Sequence, residues 1–81
     1  MKLNKKFFRT RTFWDADFDK LDVIKDKEFM VSRVVERGSE LEILHVHSVL
    51  TYLEIYNILK NFMGTPEKIL IYYKAMADAS S

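Results

Sequence analysis

Phe13-Trp14-Asp15-Ala16-Asp17-Phe18-Asp19-Lys20-Leu21-Asp22, followed after two residues by Lys25-Asp26-Lys27-Glu28-Phe29-Met30-Val31-Ser32-Arg33-Val34-Val35-Glu36-Arg37-Gly38, is the stretch whose reading decides the fold. Aromatic and aliphatic residues are threaded through closely spaced acids, and the segment runs into a helical pattern that stops at a glycine. The spacing predicts a helix from about Val23 to Arg37, with Gly38 as its C-terminal stop. At 100° per residue Ile24, Met30, Val31, Val34 and Val35 share one broad face. Phe29 falls on the other side, where it would receive Phe13, Trp14, Phe18 and Leu21. That makes the N-terminal motif an aromatic strap laid across the first helix.

Outward from this stretch, the punctuation is sparse: Gly38, Gly64 and Pro66 are the only glycines and proline. Ser39-x-x-Glu42 fits a capping box at the start of a second helix. Residues 40–50 place Leu41, Leu44 and His45 on one side and Ile43, Val46 and Leu50 on the other, the pattern of a central helix. The same letters alternate well enough for a strand, so 41–50 is open between the two. Thr51-x-x-Glu54 is a second capping box. The helix it opens carries Ile55, Tyr56, Ile58, Leu59, Phe62 and Met63 on one face and ends at Gly64. Thr65-Pro66-Glu67 supplies an N-cap, a proline at the first helical position and an acid near the dipole. A last helix follows, burying Ile69, Tyr72, Tyr73 and Met76. The expectation is an all-α fold: a compact bundle of about four helices with an N-terminal aromatic strap.

Eighty-one residues with 48% hydrophobic content are enough for one small domain and too apolar for disorder. There is no cysteine, which removes disulfide and thiol chemistry and suits a reducing cytoplasm. The longest apolar run, Ile69 to Tyr73, is far short of the ~20 residues that span a bilayer. The N-terminus lacks the apolar run of a signal peptide. A cytoplasmic protein without a membrane segment is expected. The net charge of +1 conceals an asymmetry. Residues 1–12 form a basic arm with Lys2, Lys5, Lys6, Arg9 and Arg11 and no acid, whereas the remainder, with its helical domain over 13–78, is mildly acidic.

The wording of residues 13–38, with Phe-Trp-Asp at its start and Arg33-Val34-Val35-Glu36-Arg37-Gly38 at its end, resembles a family of small bacterial domains of unknown function known mainly from Bacteroidetes. The resemblance extends more weakly to about residue 76, through Ile55 to Lys60 and Ile69 to Tyr73. Such domains are similar to the small neighbours of nucleotidyltransferase-type toxins, which implies an antitoxin-like or regulatory role. The family offers no catalytic residues to carry over.

The residues themselves support no chemistry of bond breaking. There is no phosphate loop, no serine elbow and no cysteine nucleophile, so an enzyme is not expected. Asp15-x-Asp17-x-Asp19 copies the opening of a calcium loop with Asp26 at its twelfth position. Lys20 stands where the turn needs glycine, and the comb reads as a solvated turn. His45 and His47 lie about 200° apart on a helix and cannot share an ion; they read as two partly buried imidazoles. No metal, cofactor or small-molecule substrate is expected.

Two binding readings remain. Protein interaction, with a different partner or a second copy, would use Trp14 and Phe18 of the strap, Leu53 and Ile71 outside the main faces of their helices, and the spare apolar surface of the two-sided 41–50 helix. DNA binding, the alternative, would pair the arm (Lys2, Lys5, Lys6, Arg9, Arg11) with Lys68 and Lys74 on a helix-turn-helix built around Gly64. The helix after Pro66 has few base-reading side chains, which favours the protein reading.

Overall fold

The computed structural model describes residues 2–62 and 64–80. Met63, expected on the apolar face of the third helix, lies outside them. Four helices follow one another: α1 (Lys27–Arg37), α2 (Glu40–Val49), α3 (Tyr52–Asn61) and α4 (Glu67–Ser80). Before them run three 3₁₀ turns, at Lys5–Phe7, Thr10–Phe13 and Phe18–Lys20. No strand occurs among the described residues, so the 41–50 ambiguity resolves to helix and the fold is all-α. The Cα radius of gyration is 12.1 Å, close to the ~11.7 Å expected for a folded chain of this length.

Local chemistry fixes the joints. At α2 the Ser39 hydroxyl accepts from the Glu42 N–H while the Glu42 carboxylate accepts from the Ser39 N–H; Thr51 and Glu54 repeat the arrangement at α3. Both capping boxes are as the sequence indicates. α1 starts later than expected. The Asp22 carboxylate accepts from the N–H groups of Ile24 and Lys25 and so holds a turn over 22–26. That turn throws Ile24 into solvent, away from the face it was expected to share. Gly38 ends α1 with φ −75° and ψ 165°, an extended rather than left-handed geometry. Its lack of a side chain matters for space: a Cβ there would meet the Val34 carbonyl oxygen at 2.5 Å. Gly64 is the residue with positive φ, at 95°. The Thr65 hydroxyl donates to the Leu59 and Phe62 carbonyls at the end of α3.

The core is built from Phe13 of the strap, Met30, Val31 and Val34 of α1, Val46 of α2, and Ile55 and Leu59 of α3, all fully buried. α3 and α4 form the most extensive helix pair, and α1 bridges to α2 and α3. Tyr73 is the buried residue of α4, with Ile69 and Met76 half-buried. Tyr72, expected inside, is exposed, its ring edge-on to Tyr73. α2 is not the central helix its two-sided apolar pattern suggests: Leu41 and Leu44 face solvent, while Val46 and Leu50 enter the core. The strap forms as a chain of rings, Phe18 to Phe13 at 5.6 Å and Phe13 to Phe29 at 6.0 Å. Arg33 of α1 clamps it, donating to both oxygens of Asp15 at 2.6 and 3.0 Å and to the Thr12 carbonyl at 3.2 Å.

Candidate functional site

The basic arm packs along α2, and a buried carboxylate is one of its attachments. Glu42 is only 1% exposed. Its Oε1 accepts from the Thr12 hydroxyl at 2.8 Å and from the Ser39 N–H at 2.9 Å, and its Oε2 accepts from the Arg9 N–H at 3.1 Å. The residue that caps α2 thus also staples the arm, 30 and 33 residues away in sequence, to the start of that helix. Burial pushes the Glu42 carboxyl up, but the hydrogen bonds from Ser39, Arg9 and Thr12 outweigh it and hold the group below the ordinary range. One turn further along α2, His45 accepts the Asn4 N–H on Nε2 at 2.9 Å. Phe7 stacks on the same imidazole at 4.3 Å, and Phe8 meets it edge-on at 5.5 Å. Leu3 and Phe8 complete the attachment by entering the core.

Between the arm and α2 this leaves an open groove of about 750 Å³. Leu41, 68% exposed, and Leu44, 56% exposed, form an apolar floor with Phe7. Lys2, Lys6 and Arg9 line the same groove, and among the described residues no carboxylate does. A smaller recess of about 290 Å³ continues past Arg9 to Arg11 and Arg37 at the start of α2. Its one carboxylate is Glu42, whose oxygens are both already bonded. An apolar floor with a cationic rim suits binding.

The residues expected at an interface are distributed differently. Trp14 is 72% exposed just past the Thr10–Phe13 turn, so it does not anchor the strap. Phe18 is half-buried against Phe13 and covered by the Lys5 ammonium at 4.8 Å. Leu53 and Ile71 are exposed on α3 and α4, as their positions outside the apolar faces require. Of the cations named for nucleic acid, Lys2, Lys6 and Arg9 converge on the groove and Arg11 on its continuation. Lys5 is committed elsewhere, donating to the Leu21 carbonyl at 2.8 Å and the Asp19 carbonyl at 3.2 Å. Lys68 borders a separate recess with Ile69, Tyr72 and Tyr73, and Lys74 is exposed. Leu41 and Leu44 lie on the spare apolar side of 41–50, but sequence reasoning did not join them to Phe7, or to Arg37 of the recess, in one site. The available signal was the second apolar side of residues 41–50, which core packing did not need.

The other polar clusters are structural. Among the described residues no group of three or more His, Asp or Glu converges to hold a metal ion. Asp15 is engaged by Arg33, and Asp22 and Asp26 close the turn before α1. His47 shares a 2.9 Å hydrogen bond with the Tyr73 hydroxyl, beside Tyr52. Burial depresses the imidazole and pushes the Tyr73 hydroxyl up to about 12. No helix among the described residues is long and apolar enough to cross a membrane.

Residues 8–60 match the model of DUF6922, a family of unknown function, and the chain belongs to that family. The match spans the strap, α1, α2 and most of α3, and therefore the Glu42 staple and both sides of the groove from Phe8 onward. No curated protein and no solved structure matches the chain.

Proposed function

We propose that this DUF6922 member is a non-enzymatic protein-interaction module with a regulatory, antitoxin-like role in the bacterial cytoplasm. The observation that carries the reading is the groove floor: two leucines more than half exposed, side by side on α2, next to a half-exposed phenylalanine. Scattered apolar residues are ordinary on a protein surface, but a clustered, rimmed patch is characteristic of an interface. The antitoxin-like role and the bacterial setting rest on the resemblance carried by Phe13-Trp14-Asp15 and Arg33 to Gly38. The absence of cysteine fits a reducing compartment.

Nucleic-acid binding by the arm is the second reading, favoured by the alignment of Lys2, Lys6, Arg9, Arg11 and Arg37 along one edge. Lys68 and Lys74 lie on α4, whose recess shares no residue with the groove, which weakens a helix-turn-helix version.

A tagged pull-down from host lysate, with and without nuclease and at two salt concentrations, tests both. A stoichiometric protein retained after nuclease, and lost from the Leu41→Ser/Leu44→Ser variant, is the expected result. Recovery of nucleic acid alone, released steeply between low and moderate salt, overturns it in favour of the second reading. Recovery of neither overturns both.

A further inference from the structure

We infer that the groove between the arm and α2 receives an acidic amphipathic segment of a partner protein, an inference that rests on the interaction reading above. Charge is the first argument. Among the described residues three cations and no carboxylate line the groove, and Arg11 and Arg37 extend the same sign along the continuing recess. The carboxylate in that recess, Glu42, has both oxygens bonded, so it cannot turn outward to neutralise the rim without releasing the arm. Arg37 pairs with Glu36 at 3.9 Å, so the excess positive charge sits on the groove side, at Lys2, Lys6 and Arg9, where it steers acidic chains in and repels basic ones.

The floor is the second argument, and it separates a peptide from a nucleic acid. Leu41 and Leu44 are three residues apart on α2 and so lie on the same face, one turn above the other. Aliphatic side chains pack against other apolar side chains; stacked bases require aromatic platforms. Phe8 and His45 line the groove but are buried; the exposed aromatic ring is Phe7, and His45 already stacks on it at 4.3 Å. At most one ring face remains for a base, whereas two leucines and a ring edge make a receptacle for apolar anchors. The volume of about 750 Å³ has room for several, since an apolar cavity of ~150 Å³ holds a benzene. A helix or strand with apolar residues on one side and glutamates or aspartates on the other satisfies floor and rim together.

The floor is also prebuilt. The staple from Glu42 to Thr12 and Arg9, and the bond from Asn4 to His45, fix both walls without a ligand, so little ordering opposes binding.

The test is a methyl-resolved NMR titration of the full chain with three probes. They are a synthetic helical peptide with leucines on one face and glutamates on the other, the same peptide with lysines replacing the glutamates, and oligouridylate. Saturable shifts of the Leu41 and Leu44 methyls with the glutamate peptide alone are expected. Lys6→Gln with Arg9→Gln should weaken that binding about tenfold and leave the Asn4 amide resonance in place, which reports an intact arm. Leu41→Ser should weaken it by a similar factor at an exposed position where folding is not at stake.

Unmoved leucine methyls, equal binding of the lysine peptide, or shifts with oligouridylate overturn the inference. Shifts on concentrating the chain alone overturn it in favour of a second copy. The interaction reading fails separately, through a pull-down that yields no protein. A recovered partner whose binding leaves Leu41 and Leu44 unmoved sinks the groove and leaves the module standing.

Discussion

The N–H of Asn4 donates to Nε2 of His45 across 2.9 Å, so the imidazole proton must sit on Nδ1. A protonated His45 has no lone pair at Nε2 and cannot accept this bond. Burial already holds both His45 and His47 below the ordinary 6.5. On acidification the unfolded chain takes up these protons before the folded one does. Stability is therefore full above about pH 6.5 and falls as pH drops toward the folded-state values. Urea unfolding at pH 7.5 and pH 5.5 should show the decline, and His45→Gln should flatten part of it. An unchanged slope in that variant would mean that His45 does not carry the effect.

Glu42→Gln should be costly although it is nearly isosteric. An amide presents one acceptor oxygen and one NH₂ group to a site holding three donors, from Thr12, Ser39 and Arg9. At least one donor of this buried or part-buried set loses its partner, at about 1–3 kcal/mol. Chemical denaturation measures the total, and faster hydrogen exchange at the Arg9 amide would locate the loss. Below the ordinary carboxylate range the wild type should approach the same state, because stability carried by a depressed carboxyl is lost as pH falls through its folded value.

Phe13 and Trp14 are adjacent and should behave oppositely. Phe13 is fully buried and meets Phe8, Phe18 and Phe29. Its replacement by alanine should cost about 3–5 kcal/mol. Trp14→Ala, at a position 72% exposed, should stay within about 0.5 kcal/mol. Trp14 is the only tryptophan, so red-shifted emission readily quenched by acrylamide in the native protein provides an independent check.

The two glycines should fail for different reasons. Gly38→Ala places a methyl group 2.5 Å from the Val34 carbonyl oxygen, in backbone that any residue can adopt. It should shift the end of α1 and perturb the Val34 and Ser39 amides. Gly64→Ala meets no atom within 4 Å, but its φ of 95° is unfavourable to an L side chain, a cost of about 1–2 kcal/mol. Gly64→Asn should recover part of it. Equal losses for alanine and asparagine would indicate that backbone conformation is not the cause.

What the sequence made legible was short-range. Both capping boxes and the glycine after α1 concern residues within four positions of each other and stand as read, while α3 closes at Asn61, before the break expected at Gly64. The strap was also legible, because Phe29 had no place on the main face of α1. Misreadings arose where a residue's fate depends on what lies opposite. Periodicity assigned Leu41 and Leu44 to a face of α2, but what covers that face is a tertiary matter: the arm covers His45 and leaves both leucines exposed. Ile24 was lost to the turn that Asp22 builds, and Tyr72 to a helix that offers only Tyr73 fully to the core. Glu42 was readable as a cap and unreadable as a staple. Its second set of partners, Thr12 and Arg9, lies about thirty positions upstream with nothing in the spacing to announce it. The site inherits this limit: its cations were visible one by one, and their convergence on two leucines was not.

The arm closes a span of 41 residues when Asn4 meets His45, whereas α3 and α4 are joined by a short turn. Loop closure of that length is entropically slower than zipping a helical hairpin. Re-docking of the arm after any excursion from α2 therefore carries a closure cost that the hairpin does not. Each such excursion dismantles one wall of the groove while α3 and α4 remain paired. The lifetime of the docking surface is thus set by the residence time of a dozen residues, and a bound partner that bridges arm and helix would lengthen it.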